Sequence, residues 1–425
     1  MSGDNRSGAR PAVKWHVLVA CFLAYAFDAM DFMLLALAMP AIIAEWNLSL
    51  SDAGLLGTAT LAGVGLSSVV IGWYADNYGR RPALIASLVV FGVLTGAIAL
   101  ARGWTDLMVL RFLAGLGLGG VWGVAAAFIS ETWPAEQRGR ATAFVLGSWP
   151  IGFGCAAFIA SIILPSYGWR ALFLCGLGAV VAALYTALFV PESAAWAEQR
   201  EQRRHSAAGR QRVSVGELFA PEYLRTTLFG TLASASALVG YWGANTWIPT
   251  YLVKDRGLDA ADMSWFVVML NIGMFVGYQA FGWLADKIGR PAALLWSFGG
   301  AVVMLPIYGL SANTTLLFWL GPVVALFFCY AGIFGSYFSE LYPARIRSLG
   351  AGFCFNVGRG ISALAPFVLG IIAARYGLGV SVALCAVGFL FAALFTVLLA
   401  RSPRATQAGQ AQRLVQQASA AAKTT

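Results

Sequence analysis

Apolar residues run along this chain in long blocks separated by short polar joints. Twelve blocks can be laid out, at about 15–43, 53–75, 82–101, 105–130, 141–164 and 169–190, then 226–252, 263–285, 291–311, 314–338, 348–374 and 378–400. Each is long enough to cross a bilayer as a helix, since about 20 apolar residues at ~1.5 Å each span the ~30 Å hydrocarbon core. The strongest polar break, Pro191 to Arg225, divides the blocks six and six. The pattern therefore predicts an all-α membrane protein with twelve transmembrane helices in two six-helix bundles. These are residues 1–190 and 226–400, joined by a polar loop 191–225 and followed by an Ala-, Gln- and Ser-rich tail 401–425. The polar stretch Met1 to Lys14 leads into a block too long for a signal-peptide core, with no clear cleavage site.

Composition agrees with the pattern. Of 425 residues, 59% are hydrophobic and only 11% charged, roughly half the charged fraction of a soluble domain. The 48 glycines suit helices that must approach closely in lipid. Cys21, Cys155, Cys175, Cys329, Cys354 and Cys385 all fall in apolar blocks without metal-ligand spacing, and read as small buried hydrophobes. The two histidines, His16 and His205, lie outside the membrane core, so no His-based metal site or catalytic triad is predicted. No nucleophile–base set appears, and the chain calls for no cofactor and no enzymatic role.

A net charge of +9 would suit a nucleic-acid partner, but its distribution argues for topology instead. With twelve spans, both termini, the central loop and alternate connections share one side. Of the 28 Lys and Arg, only Arg102, Arg170, Lys254, Arg256 and Arg375 lie on the other side, and Arg111 and Arg359 fall within spans. The positive-inside rule then makes the termini cytoplasmic.

The two halves repeat. Gly72-Trp-Tyr-Ala-Asp76-Asn-Tyr-Gly79-Arg80-Arg81 between spans 2 and 3 returns as Gly282-Trp-Leu-Ala-Asp286-Lys-Ile-Gly289-Arg290-Pro291 between spans 8 and 9, 210 residues later. Glu131-Thr-Trp-Pro134 with Arg138 and Arg140 returns as Glu340-Leu-Tyr-Pro343 with Arg345 and Arg347, at an offset of 209. Such parallel repeats place a substrate site between the halves near the membrane midplane. In the loops, Gly72 and Gly282 are expected to permit close helix approach, and Gly79 and Gly289 a sharp reversal. The acids there can pair with arginine or cap a helix. Contacts of this kind close the cytoplasmic side and break when it opens.

Four charges fall inside spans. Asp28 and Asp31, three apart in span 1, share one helix face, and a carboxylate pair in the membrane is costly enough to suggest uptake of a proton, a cation or both. The bland alternative is a structural pair. Arg111 in span 4 sits at a depth similar to Asp31 and is expected to pair with it, leaving Asp28 the more easily protonated. Arg359, on Gly358-Arg359-Gly360 and alone among in-span charges in the second half, offers a planar fork for a substrate anion. Tyr25, Trp122, Trp149, Tyr241, Trp242, Asn245, Gln279 and Asn356 could line the cavity, and Pro150 is expected to kink span 5.

The duplicated Gly-x-x-x-Asp-x-x-Gly-Arg loop and Arg111-Phe-Leu-Ala-Gly115-Leu-Gly117-Leu-Gly119 resemble the major facilitator superfamily. Asp28-Ala-Met-Asp31 resembles the Asp-Gly-x-Asp signature of its proton symporters for aromatic acids, sialate and lactate. So do Gly168-Trp-Arg-Ala-Leu-Phe173, Val190-Pro-Glu-Ser193 and Asn356-Val-Gly-Arg359. Ala29 and Pro291 depart from the family pattern, and the central loop is too short for the extra spans common in sialate carriers. The resemblance implies a monomeric carrier in a bacterial inner membrane, importing a small organic anion, such as a monocarboxylate, aromatic acid or sugar acid, together with protons. The rival expectation is a proton-driven exporter of drugs or metabolites.

Overall fold

A computed structural model describes residues 11–205, 215–343 and 346–402. Arg345, the loop 206–214 and the tail from 403 therefore lie outside the described residues, as does the side chain of Arg347. Among the described residues the regular structure is entirely helical. The first three crossings are α1 (Pro11–Trp46), α2 (Leu50–Tyr78) and α3 (Arg80–Ala97). The fourth is built from α4 (Trp104–Leu118) and α5 (Val121–Thr132). The fifth is α6 (Ala135–Leu146) with most of α7 (Ser148–Leu174), and the sixth is the end of α7 with α8 (Gly178–Phe189). A short helix α9 (Ala194–His205) opens the central loop. The second half contains α10 (Leu224–Lys254), α11 (Ala260–Ile288) and α12 (Arg290–Leu310). The tenth crossing joins α13 (Thr314–Leu326) to α14 (Tyr330–Leu341), and the eleventh joins α15 (Arg347–Ser362) to α16 (Ala365–Tyr376). The last is α17 (Leu378–Ala400).

Ten described helices are long and apolar enough to cross a membrane. Two features bring the count to twelve. Residues 140–189 form one apolar stretch of 50 residues, about twice the length a crossing needs. Gly168, at φ 72°, turns the chain back within it, a conformation other residues resist. The seventh crossing, α10, is diluted by Thr226, Thr227, Thr231, Ser234, Asn245 and Thr246, but its 31 residues are ample. The break in span 5 falls at Gly147, just ahead of Pro150, which sits in the first turn of α7 where its missing N–H costs nothing.

The repeat shows in the helix ends. Ser49 caps α2 by accepting from the Asp52 N–H at 3.1 Å, and Asp259 caps α11 by accepting from the Asp262 N–H at 2.8 Å. Both helices stop at a glycine of positive φ, Gly79 (120°) and Gly289 (90°).

Within the first half α1 packs on α7, α2 on α4 and α3 on α8. In the second, α10 packs on α17 and α15, and α11 on α13. The halves meet where α7 lies against α11, α2 against α16 and α1 against α10. Away from the basic loops this seam is tight: a Cβ on Gly57 would touch Pro366 at 3.2 Å. At the basic end a cavity of about 1250 Å³, counted to its open mouth, separates Ala143 and Leu146 from Gln279, Asp286 and Ser336. Of the cysteines expected to be buried, Cys155 is exposed beside Pro150, Ile151 and Phe158, and Cys175 is only half-buried.

Candidate functional site

Close backbone contact assembles the charged centre. A side chain on either Gly63 of α2 or Gly115 of α4 would run into the other helix's backbone. That proximity lets Arg111 of α4 donate from Nε to Thr60 Oγ1 at 2.9 Å. Arg111 Nη1 pairs with Asp31 Oδ2 at 3.0 Å and donates to Oδ1 at 3.2 Å. Thr95 of α3 donates its hydroxyl to the same Oδ1. Both members of the pair are 1% exposed. Arg111 thus meets Asp31 as the depth argument expects, and Thr60 and Thr95 complete the cluster. Neither threonine stood out in the sequence, where a lone Thr in an apolar span passes for a helix-backbone donor.

Asp28, one turn away and equally buried, is different. Neither of its carboxylate oxygens has a hydrogen-bond partner among the described residues. Arg359 and Asp31 are among the charges that act on it.

A second cavity of about 430 Å³ lies between the halves. Gly152 of α7 rests on the backbone of Ala26, which brings Trp149 to Tyr25 with ring centroids 5.0 Å apart. Trp122 closes on the other side of Tyr25 at 5.4 Å. From the second half come Tyr241, Trp242 and Arg359. Trp149 Nε1 donates to Tyr241 Oη at 2.7 Å, joining α7 to α10. The Arg359 guanidinium is 7% exposed in the residue as a whole and forms no ion pair with a described carboxylate. It lies over the rings of Phe32 and Trp242, at 5.5 and 5.8 Å.

Three expected lining residues fall elsewhere. Asn245 lines a neighbouring cavity with Arg111 and Thr60, and holds the Tyr241 carbonyl at 2.9 Å. Gln279 lines the basic-end cavity. Asn356 is half-buried beside the site, but Phe355 and Arg359 supply α15's share of the wall. Asn245 lies one turn beyond Tyr241 on α10 and Gln279 toward the basic end of α11, while helical rotation by 100° per residue leaves Asn356 off the wall that Phe355 and Arg359 supply.

At the basic end Arg80 donates to Asp76 at 2.5 Å and to Glu131 at 2.9 and 3.1 Å. Glu192 accepts from the backbone N–H groups of Arg80 at 3.0 Å and Arg81 at 3.3 Å, capping α3. Arg81 donates to the Ala187 carbonyl. Trp196 on α9 donates to the Asp76 carbonyl at 3.0 Å. In the second half Arg290 meets Asp286 at 2.6 Å and Glu340 at 3.4 Å. Arg138 donates to the Trp133 carbonyl at 2.9 Å instead of to an acid, and Arg140 is exposed. A Cβ on Gly72 or Gly282 would meet nothing within 4 Å, so the close approach expected of them is not made in this conformation. Glu192 and Trp196 join the basic-end cluster without being expected there, and Pro191-Glu192-Ser193 is the signal in the sequence that points to the first of them.

The model of the Major Facilitator Superfamily matches residues 21–339. The chain is similar to a cis,cis-muconate transport protein of Acinetobacter baylyi, 29% identical over 89% of this chain and 92% of that one. It is also similar to a gallate transporter of Pseudomonas putida, 28% identical over 93% of each chain. In fold it resembles the crystal structure of a D-xylose-proton symporter, with a TM-score of 0.73 at 19% identity, over 90% of this chain and 97% of that one.

Proposed function

The chain belongs to the Major Facilitator Superfamily, and on that premise we propose that it imports a small carboxylate together with a proton by alternating access. It is a multi-pass membrane transporter, not an enzyme. In this reading the basic loops and termini face the cytoplasm across a bacterial inner membrane, and a monomer suffices. The bodies 1–190 and 226–400 rock about the seam between them, and the two arginine clusters at the basic end act as the gate.

Arg359 carries the reading. A buried guanidinium facing an aromatic cavity, in ion-pair contact with no described carboxylate, is suited to a planar carboxylate. Walls of Tyr25, Trp122, Trp149 and Tyr241 favour a flat conjugated or aromatic acid over a polyol, whose many hydroxyls would need partners there. Relatives named for muconate and gallate support that choice.

Charge balance supplies the coupling. Asp31 stays ionised on Arg111, while Asp28 and Arg359 compensate each other in the unloaded carrier. When Asp28 takes a proton from outside, Arg359 needs a new counter-charge, and the substrate anion provides it. A carrier loaded with only one of the two would bury an unbalanced charge at a cost of several kcal/mol and would not rock. One proton then accompanies each monoanion.

The test uses proteoliposomes with benzoate, gallate and cis,cis-muconate. In Asp28→Asn, uphill accumulation driven by a pH gradient should vanish while exchange of labelled for unlabelled acid survives. Asp31→Asn should also impair exchange, because it strands Arg111, and Arg111→Gln should relieve part of that loss. Accumulation by Asp28→Asn under a pH gradient alone would sink the proton assignment.

A further inference from the structure

Two cavities lie in line along the seam, and Trp242 walls both. The inner one holds Arg359 and Tyr241, and the outer one holds Phe32, Ala36, Thr60 and Arg111. Between them Phe32 of α1 and Trp242 of α10 approach to 4.4 Å between ring centroids. Trp149 of α7 meets the edge of Trp242 at 6.2 Å. Two rings from one half thus close against Trp242 of the other, and Arg359 of α15 lies over the Phe32–Trp242 pair.

We propose that Phe32 and Trp242 form a gate between an inner and an outer chamber, with Arg359 as its latch. A carboxylate entering the inner chamber opens it by drawing the guanidinium off the ring faces. The latch rests on the reading of Arg359 as the anion site; the ring gate does not. A desolvated guanidinium is held more strongly by a bidentate carboxylate than by two ring faces, so the exchange of partners runs toward the anion. Once the cation leaves, the Phe32–Trp242 pair loses the group that lies over both rings. The residue that binds the substrate is then also the one that governs the ring pair between the two chambers. Phe32 gains a role that an aromatic in an apolar span does not announce.

The experiment places one thiol in the outer chamber, Ala36→Cys, in a full-length chain whose six native cysteines are replaced. Inside-out vesicles present the basic side to a membrane-impermeant thiol reagent. Labelling should be slow with the gate intact and roughly tenfold faster in Phe32→Leu, the scale of one aromatic pair. Trp242→Phe, which keeps a ring but loses the indole edge, should give a smaller rise. Arg359→Gln should raise the rate several-fold, and benzoate should do the same to the otherwise native gate. Ser336→Cys, in the basic-end cavity, should label equally in every background, which separates gating from unfolding. An unchanged rate in both Phe32→Leu and Trp242→Phe overturns the gate. A faster rate in those variants with none in Arg359→Gln overturns the latch alone. If the ring variants and Arg359→Gln accelerate labelling but benzoate does not, the gate stands and the aromatic-carboxylate reading of Arg359 falls.

Discussion

The two copies of the Gly-x-x-x-Asp-x-x-Gly-Arg loop look alike in sequence but are held differently. In the first, Arg80 is 9% exposed at the side chain and bridges Asp76 and Glu131, while Glu192 caps the helix that follows. In the second, the Arg290 side chain is 17% exposed and reaches Glu340 at only 3.4 Å, and no carboxylate among the described residues caps its helix. One residue accounts for much of the difference. Pro291 stands where the first copy has Arg81, and it lacks the N–H that Glu192 accepts from. A repeated motif therefore specifies a shared turn and a shared arginine–acid pair, while the strength of the clasp depends on what the rest of each half delivers to it. The first loop is the firmer clasp and the second the looser one.

Removing the arginines should separate the two most. Arg80→Ala leaves the buried side of Glu131 without its cation and should cost about 2–3 kcal/mol, the scale of hydrogen bonds to charged groups. Arg290→Ala, at a more exposed pair, should cost about 1 kcal/mol or less. Thermal unfolding of the purified proteins in detergent measures both, and equal losses would erase the distinction.

The glycines come next. Gly79 and Gly289 both hold positive φ, so alanine at either is strained by about 1–2 kcal/mol. At Gly79 the added methyl would also strike the Glu192 carboxylate, whereas at Gly289 it meets nothing within 4 Å. Gly79→Ala should therefore slow uptake more than Gly289→Ala at equal membrane abundance.

Glu192→Gln keeps the shape of the cap and loses its charge at a helix N-terminus, for a loss of about 1 kcal/mol or less. The same unfolding assay should show it. Smallest of all, Pro291→Arg restores the family residue to the second loop. It should change stability by less than about 0.5 kcal/mol, since no described acid caps α12. A gain as large as the loss in Glu192→Gln would mean that the second half does hold a hidden cap.

Much of this was legible in the chain before any fold. Twelve spans follow from the length of apolar runs, because bilayer thickness sets helix length. Lipid cannot satisfy free backbone groups, so helices were the one solution for such runs. The Asp31–Arg111 pair could be reached from depth alone, since helix rise per residue is fixed. Depth says nothing of azimuth, however. Asn356 lies between Phe355 and Arg359 in depth and still leaves α15's share of the wall to them.

What the sequence determined by itself is the set of charges that must be dealt with inside the membrane, the repeat that makes two halves, and the turns at Gly79 and Gly289. What only the tertiary structure decided is how those charges are shared. Asp31 receives Arg111 and Thr95, while Asp28, one helical turn away, receives no hydrogen bond from any described residue. Local sequence treats the two aspartates as equals, because both lie on one face of one helix. The packing of α2, α3 and α4 around that face does not, since Gly63 and Gly115 admit Arg111 and Thr60 beside Asp31 alone. The closing of Phe32 on Trp242 beneath Arg359 is likewise a meeting of residues some 200 and 300 positions apart, which no periodicity along one helix could foretell.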